Sequence, residues 1–525
     1  MAPKSPIKSR HLRTARFRNA QQAWKGLRRK FKKYEDAGLM TYRKVLGFGG
    51  FGMVQRWTLN GLDDRNVAIK TIIRAEEKNS IESLQREIWW NKRFTGSEHL
   101  VQLVDLPPEI MAEIGDNINN EECHGVPIMV MEELGLGSLY DLVHRIERTI
   151  LLNPILPEDE RMMEYIPNRT LWMVRACIGM AYSSSHPTSR SGQVNRETMD
   201  NIPDSVIPSR LIHSDIDIQN VFVAEPTGLE DAEHYRNPVV KIADYGCMVQ
   251  WDDSWSYAKK SNSLWGKKSY KAPEQFYPDG DMDVHTNVYQ IGNVMQDLIT
   301  LTHVPFDARL VLPRQLMGTD VSFMTVGCRL LEDEIYQIQK DWKNVDMALR
   351  ELVAGCMGEA PRMRPSLRQL EELCIFRMEE LDRQAKYDSS IAQEGLGPTS
   401  NTSVPGASPA NDSYRKRYPQ GQTEPDSLLE RFYKEYFIEP WEQGDKYSSY
   451  WADPTRMPSS SGKGSTAVPA GIPIILPGQN LPGFESPTRL PGGAPLPQVS
   501  KDSMPSSLPS NIPLDLLVFS SGESV

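Results

Sequence analysis

The sequence predicts an α+β fold that opens with strands followed by a helix, with a basic N-terminal extension before them and a disordered tail after. Three observations predict it. Between Tyr42 and Leu59 two strand-like runs flank a cluster of glycines, and a third apolar run, Val67 to Lys70, follows closely. Residues 80–94 carry helical spacing, with Ile81, Leu84, Ile88 and Trp89 on the inner face. Beyond residue 388 the composition changes: half of the 38 prolines fall between Pro398 and Pro513, among many Gly and Ser, leaving too few apolar residues for a core.

Composition also excludes several classes. The first 34 residues carry 12 Lys or Arg and no Asp or Glu, leaving 47 basic against 69 acidic residues in the rest of the chain. The six cysteines show no C-x-x-C pair and no metal-ligand spacing, which reads as reduced thiols rather than a disulfide framework. No apolar run approaches the ~18 residues that span a bilayer, and the first residues lack a secretory signal's apolar stretch. The expectation is a soluble intracellular protein, cytoplasmic and/or nuclear.

Taken in order, the first predicted element is a helix capped by Asn19 that runs to about Ala37 and stops at Gly38. Trp24, Leu27, Phe31 and Tyr34 share one face of it, ringed by Lys and Arg. Strands follow at Tyr42–Leu46 and Met53–Leu59, joined by Gly47, Gly49 and Gly52, whose backbone can approach phosphates and offer amide donors. The run Val67-Ala-Ile-Lys70 reads as a further strand ending in a lysine. The helix at 80–94 carries Glu87 and, as a competitor for the same role, Glu82. Leu100–Leu106 reads as a strand, a long polar segment spans 107–126, and Ile128 to Met131 reads as the next strand, running on into Glu132 and Leu134. Later come His213-Ser-Asp215-Ile-Asp-Ile-Gln-Asn220, with Val221-Phe-Val after it, then Val239-Val-Lys-Ile-Ala before Asp244-Tyr-Gly246, and finally Ala272-Pro-Glu274.

Five of these motifs in this order resemble a eukaryotic-type protein kinase domain over residues 41–380, with an N-lobe at 41–132 and a C-lobe at 135–380. The resemblance is closest to divergent fungal-type serine/threonine kinases. It implies a bilobal fold, with a small β-rich N-lobe and a larger helical C-lobe, that transfers the γ-phosphate of ATP, with Mg²⁺, to Ser or Thr of a protein substrate. By the same resemblance, Gly47, Gly49 and Gly52 cover the phosphates, and Val54, Ala68 and Met131 line the adenine pocket. Backbone groups of Glu132 and Leu134 hydrogen-bond the base. Lys70, paired with Glu87, holds the α- and β-phosphates. Asp215 is the catalytic carboxylate, Asn220 and Asp244 hold the metal, and Glu274 with Arg364 forms a buried ion pair.

Two positions depart from the family's pattern. Ser214 replaces the arginine that grips an activation-loop phosphate, which implies activity independent of such a phosphate. Asp217 replaces a lysine near the γ-phosphate, while Lys267 stands where the family has a threonine. The expectation is that the two have exchanged charge, so that Asp217 and Lys267 pair and Lys267 returns a cation to the site. Asn287 replaces the usual aspartate of the central helix and keeps one acceptor oxygen. Tyr270, and Gln219 in place of a tyrosine-kinase arginine, favour Ser/Thr specificity.

Alternatives stay open. Asp217 and Ser214 also suit a pseudokinase that binds nucleotide and acts through its terminal segments, and phosphorylation of a small molecule is a third class. The basic N-terminal helix suits an acidic partner, an anionic surface, a calmodulin-like groove, an import signal or a mitochondrial presequence, or packs its aromatic face on the small lobe. Residues 187–208 read as an inserted loop. Residues 427–439 read as a helix within the tail, with Leu428, Leu429, Phe432, Tyr436 and Phe437 on its apolar face. Oligomeric state is not legible.

Overall fold

The computed structural model describes residues 7–49, 52–61, 64–74, 78–183, 210–225, 238–280, 282–302, 312–315, 322–331, 342–393 and 424–438. The chain divides into two compact units, Met1–Trp451 and Ala452–Val525, and every described residue belongs to the first. The predicted loop at 187–208 and most of the predicted tail lie outside the described residues.

Four strands form one antiparallel sheet in the order of the chain: β1 (Met40–Phe48), β2 (Gly52–Leu59), β3 (Arg65–Ile72) and β4 (Ile128–Glu132). Helix α1 (Ile7–Asp36) lies against it. This helix starts well before the predicted Asn19, which sits inside it, and it ends where Gly38 takes φ +72°. A positive φ is cheap for glycine alone, so the stop was legible. The start was not, because residues 7–18 contain neither proline nor glycine to break the helix. Leu27, Phe31 and Tyr34 enter a core with Met40, Trp57, Val67, Ile69 and Val130, while Trp24 packs with Val45 and Met53. The aromatic face is therefore covered by the sheet, and Lys25, Arg29, Lys32 and Lys33 remain exposed.

Helix α2 (Lys78–Arg93) packs beside β3 with Leu84, Glu87, Ile88 and Trp90 buried. The predicted Trp89 is only partly buried, and Trp90 takes the inner place against Phe94. The predicted strand at 100–106 does not form as a strand. Its backbone bonds are divided: Val101 N–H donates to Ile242 O at 3.0 Å, whereas Val104 N–H donates to Val130 O of β4 at 3.0 Å. The segment thus ties the sheet to the helical part instead of extending either. Within 107–126 lies helix α3 (Pro108–Ile114), opened by Pro108 at a first-turn position where a missing N–H costs nothing.

The helical part contains α4 (Leu139–Leu152), α5 (Asn168–Ser183), α6 (Tyr257–Asn262), α7 (Val284–Thr300), α8 (Met347–Cys356) and α9 (Leu367–Gln393). A Ser138–Asp141 capping box opens α4, and Asp283 and Asp346 cap α7 and α8 through side-chain oxygens. Short strand pairs β5 (Leu211–Ile212) with β8 (Val249–Gln250), and β6 (Val221–Ala224) with β7 (Val239–Ile242), sit between sheet and helices. A hairpin of β9 (Leu312–Gln315) and β10 (Ser322–Thr325) completes the strands among the described residues. Helix α9 runs past the predicted tail boundary at 388.

The predicted tail helix forms as α10 (Asp426–Tyr433), continued by a wider turn at Lys434–Ile438. Leu428, Leu429, Phe432, Tyr436 and Phe437 are all buried against the helical part. Polar groups fix the dock as well. Both Glu424 carboxylate oxygens accept N–H groups at the start of α5, Asn168 at 2.8 Å and Arg169 at 2.9 Å, so the tail caps that helix from outside. Arg145 of α4 donates to Tyr436 O at 2.7 Å.

Candidate active site

The site begins with a lysine that two elements compete to hold. Lys70 on β3 extends its Nζ to both Glu87 oxygens, at 2.8 and 2.7 Å, and to Asp244 Oδ1 at 3.2 Å. Glu87 lies on the buried face of α2, whereas Glu82 points outward and pairs with Lys78, so the competitor is eliminated. Burial disfavours the Lys70 ammonium, but Asp244 and Glu87 outweigh it and carry its pKa above the usual range. Burial pushes Glu87 upward against the pull of Lys70. With three carboxylate oxygens around one ammonium, the charged pair is the state that the geometry supports. Burial also opposes the Asp244 charge, yet Lys70 holds that carboxyl below its usual range.

Asp244 sits at φ +66°, a left-handed conformation uncommon outside glycine. A contact missed in the sequence lies beside it: Arg86 of α2 donates from Nε to Gly246 O at 3.1 Å, clasping the helix to the Tyr245–Cys247 turn. Arg86 directly precedes Glu87, and that adjacency was the only signal.

An apolar slot lies beside Lys70. Ala68, Met129, Met131 and Ala243 form one buried cluster, with Leu46, Val54, Leu134 and Phe222 packed against it. The register sets it: Val54 faces Lys70, and Ala68 faces Met131, across adjacent strands. At its edge the Glu132 N–H already donates to Gln102 O at 3.0 Å, while the Leu134 N–H donates to no group among the described residues. Gly47 belongs to β1, and Gly49 N–H donates to Gly52 O at 2.7 Å, closing the turn on its described sides. A Cβ on Gly52 would come within 3.1 Å of Thr71 O and 3.4 Å of Lys70 Cε, so glycine leaves that lysine room.

The loop at 213–220 is held from α7. Asn287 Oδ1 accepts the His213 N–H at 3.0 Å and its Nδ2 donates to Leu211 O at 2.8 Å, so the asparagine supplies both a donor and an acceptor. Gln290, another residue not singled out in the sequence, donates to Ser214 O at 3.0 Å and accepts the Ile216 N–H at 3.3 Å. His213 is fully buried, and burial lowers its pKa to about 4. Asn220 Nδ2 donates to Asp215 O at 2.8 Å and contacts Asp215 Oδ2 at 3.4 Å. The Asp215 carboxyl is pushed up to about 6, by burial first and then by the charge of Asp217.

Asp217 and Lys267 do pair. The Lys267 ammonium donates to Asp217 Oδ2 and, at 3.1 Å, to Gln219 Oε1. The Lys267 backbone N–H donates to Asp215 Oδ1 at 3.0 Å, so one residue touches both acids. This approach depends on Gly266 at φ +100°, where a Cβ would fall 1.9 Å from Ser214 O. Among the described residues the buried Ser214 hydroxyl has no hydrogen-bond partner. Below the loop, Arg364 meets Glu274 with two bonds of 2.7 and 2.8 Å, and Thr286 Oγ1 donates to the same carboxylate at 2.8 Å.

The donor chemistry fits a hard divalent cation bound chiefly through phosphates and water. Among the described residues no group of three or more His, Cys, Asp or Glu is placed to hold an ion. Magnesium asks for few protein ligands when phosphates are present. Asn220 spends its amide nitrogen on Asp215 and leaves its oxygen without a protein partner among the described residues, and Asp244 adds a carboxylate.

Comparison with known proteins agrees with this geometry. Residues 205–374 match the family model "Protein kinase domain", a span that includes Asp215, Asn220, Asp244, Glu274 and Arg364. The chain is 22% identical over 342 residues to the human proto-oncogene tyrosine-protein kinase ROS, covering 64% of this chain and 12% of that protein. It is 22% identical over 355 residues to the bovine insulin-like growth factor 1 receptor, covering 66% and 44% respectively. Over 251 residues it is 26% identical to serine/threonine-protein kinase ATG1 of Saccharomyces cerevisiae, covering 46% of this chain and 24% of that one. The match spans less than half the length of each of these relatives. No helix among the described residues is long and apolar enough to cross a membrane. The chain is therefore similar to divergent eukaryotic-type protein kinases, and its match to the protein kinase domain model lies at residues 205–374.

Proposed function

We propose that the chain transfers the γ-phosphate of ATP, with Mg²⁺, to serine or threonine hydroxyls of protein substrates. The observation that carries this reading is the Lys70–Glu87–Asp244 cluster closed across the cleft beside Asp215 and Asn220. The slot of Val54, Ala68 and Met131 takes the adenine, with the Leu134 N–H as its donor. Lys70, fixed by Glu87, meets the α- and β-phosphates. Asn220 and Asp244 hold the metal, which supplies neutralising charge to the phosphate oxygens. Asp215 accepts the proton of the acceptor hydroxyl as its oxygen bonds to phosphorus and the bond to ADP breaks. Lys267, ion-paired with Asp217 and bonded to Asp215 through its own N–H, places a cation beside the transferred group.

Preference for serine and threonine over tyrosine rests on Gln219 and Tyr270, since the relatives include both kinds of kinase. With Ser214 offering no cation, transfer proceeds without an activation-loop phosphate, and phosphatase-treated enzyme keeps its turnover. The second reading, a nucleotide-binding pseudokinase, is favoured by Asp217 and Ser214. The solvent-facing Lys25, Arg29, Lys32 and Lys33 of α1 suit an acidic partner or anionic surface, its aromatic face being covered already. The purified chain, incubated with Mg²⁺, labelled ATP and a generic protein substrate, is expected to transfer label. Nucleotide binding without transfer supports the pseudokinase instead.

A further inference from the structure

The segment between β8 and Glu274 has an unusual charge for this chain. From Ser254 to Ala272 it carries five lysines and no acidic residue, in a protein whose formal net charge is -10. The nearest acids are already engaged: Asp253 pairs with Arg210, and Asp252 accepts the Ser254 N–H at 2.9 Å. Among the lysines, Lys267 is committed to Asp217, and Lys259 sits over the Trp255 ring. Lys268 is exposed and has no ion pair or hydrogen bond among the described residues.

Position gives that charge a purpose. Lys267 N–H is bonded to Asp215 itself, and the chain then turns back, Lys271 N–H donating to Lys267 O at 3.2 Å. Lys268 therefore follows directly on the residue that touches the proposed base, and Lys271 returns to it one turn later. Lys271 spends one donor on Leu264 O at 2.6 Å. Burial first, and then the positive charge of Lys268, hold its pKa below the usual lysine range. Lys268 and Lys271 thus add positive charge beside the acceptor position, where the carboxylate that acts on Lys271 is Asp215, the proposed base itself. An anion delivered there relieves the repulsion and is paired at once.

We propose that Lys268 and Lys271 select protein substrates in which anionic side chains, carboxylate or phosphate, flank the acceptor hydroxyl. The inference rests on the kinase reading of the same site. Any hydroxyl that reaches Asp215 draws its neighbouring residues past these lysines, so the selection acts on the sequence around the acceptor.

The test uses the full chain and four serine peptides of one length, flanked by glutamate, phosphoserine, glutamine or lysine. Either anionic peptide is expected to exceed the glutamine peptide by about tenfold in kcat/KM, the size of two exposed charge pairs, and to lose that lead at high salt. The phosphoserine and glutamate arms then show which anion is preferred. Lys268→Glu, which leaves the nucleotide site intact and keeps its thermal shift with ATP, is expected to abolish or reverse the order. Equal rates on all four peptides, or an acidic preference unchanged in Lys268→Glu, overturn the inference and leave the kinase reading standing. ATP binding with transfer to none of the peptides overturns both.

Discussion

Removing the Lys267 side chain tests the exchange of charge between Lys267 and Asp217. The Asp217 side chain is fully buried, while that of Lys267 is 39% exposed. After Lys267→Ala, Asp217 retains one described donor, the Gln219 N–H at 2.6 Å. Breaking a fully buried pair by removing one partner costs about 3–5 kcal/mol. Solvent at the lysine reduces this to about 1–2 kcal/mol of stability. The effect on transfer should be larger, because Lys267 is the cation beside the moving phosphoryl group: a fall of about 10²–10³ in kcat, comparable with loss of one preorganised electrostatic contact. Asp217→Lys alone sets two ammonium groups side by side. At ~4 Å and an effective dielectric of ~20 they repel by about 4 kcal/mol before screening. The double variant Asp217→Lys/Lys267→Thr, which restores the family's usual arrangement, is expected to recover both folding and transfer. The assay is initial-rate phosphoryl transfer at saturating ATP beside chemical denaturation of all four proteins. Unchanged kcat in Lys267→Ala, in an enzyme that transfers phosphate, refutes the exchange.

Further outcomes follow from the same contacts. Asp215 is held at about 6, above the usual aspartate range, so transfer that needs its ionised form should fall as pH drops through about 6. Asp217→Asn, by removing a neighbouring charge, should move that inflection to lower pH. The sign for stability is opposite: the raised folded pKa favours the protonated form, so this contribution is full below the unfolded value and lost as pH rises through about 6. Arg364→Ala leaves buried Glu274 with Thr286 as its one side-chain partner among the described residues and should lower unfolding free energy by about 3–5 kcal/mol, measured by urea denaturation. Phe432, 1% exposed in the docked tail helix, when changed to Ala should weaken docking by about 3 kcal/mol, seen as faster amide exchange across 426–433 and at the start of α5. Unchanged exchange there would show that the tail is not held by its apolar face.

The sequence exposed most of the residues that the cleft brings together, because they belong to short motifs of particular residue types. Lys70, Asp215, Asn220 and Asp244 could be named before any geometry was known, and the Lys267–Asp217 pair could be anticipated from two changes that compensate in charge. What stayed hidden depends on contacts distant in sequence. Arg86 bonding to Gly246 and Gln290 bonding to Ser214 join residues that no local pattern links. Residues 100–106 have the apolar content of a strand, yet their bonds divide between β4 and β7, and periodicity cannot tell one partner from two. The apolar face of the tail helix was legible at 428–437, but its docking place was not. Glu424, which caps α5 from some 250 residues away, looks like any other polar residue in a proline-rich stretch.

The most direct test measures label transfer from ATP by the unaltered chain beside Lys70→Met and Asp244→Ala, with nucleotide affinity recorded for all three. The account predicts transfer in the first and loss of at least about 10²-fold in both variants. Transfer that persists undiminished when either side chain is removed would contradict a cleft that works by gripping the triphosphate between them.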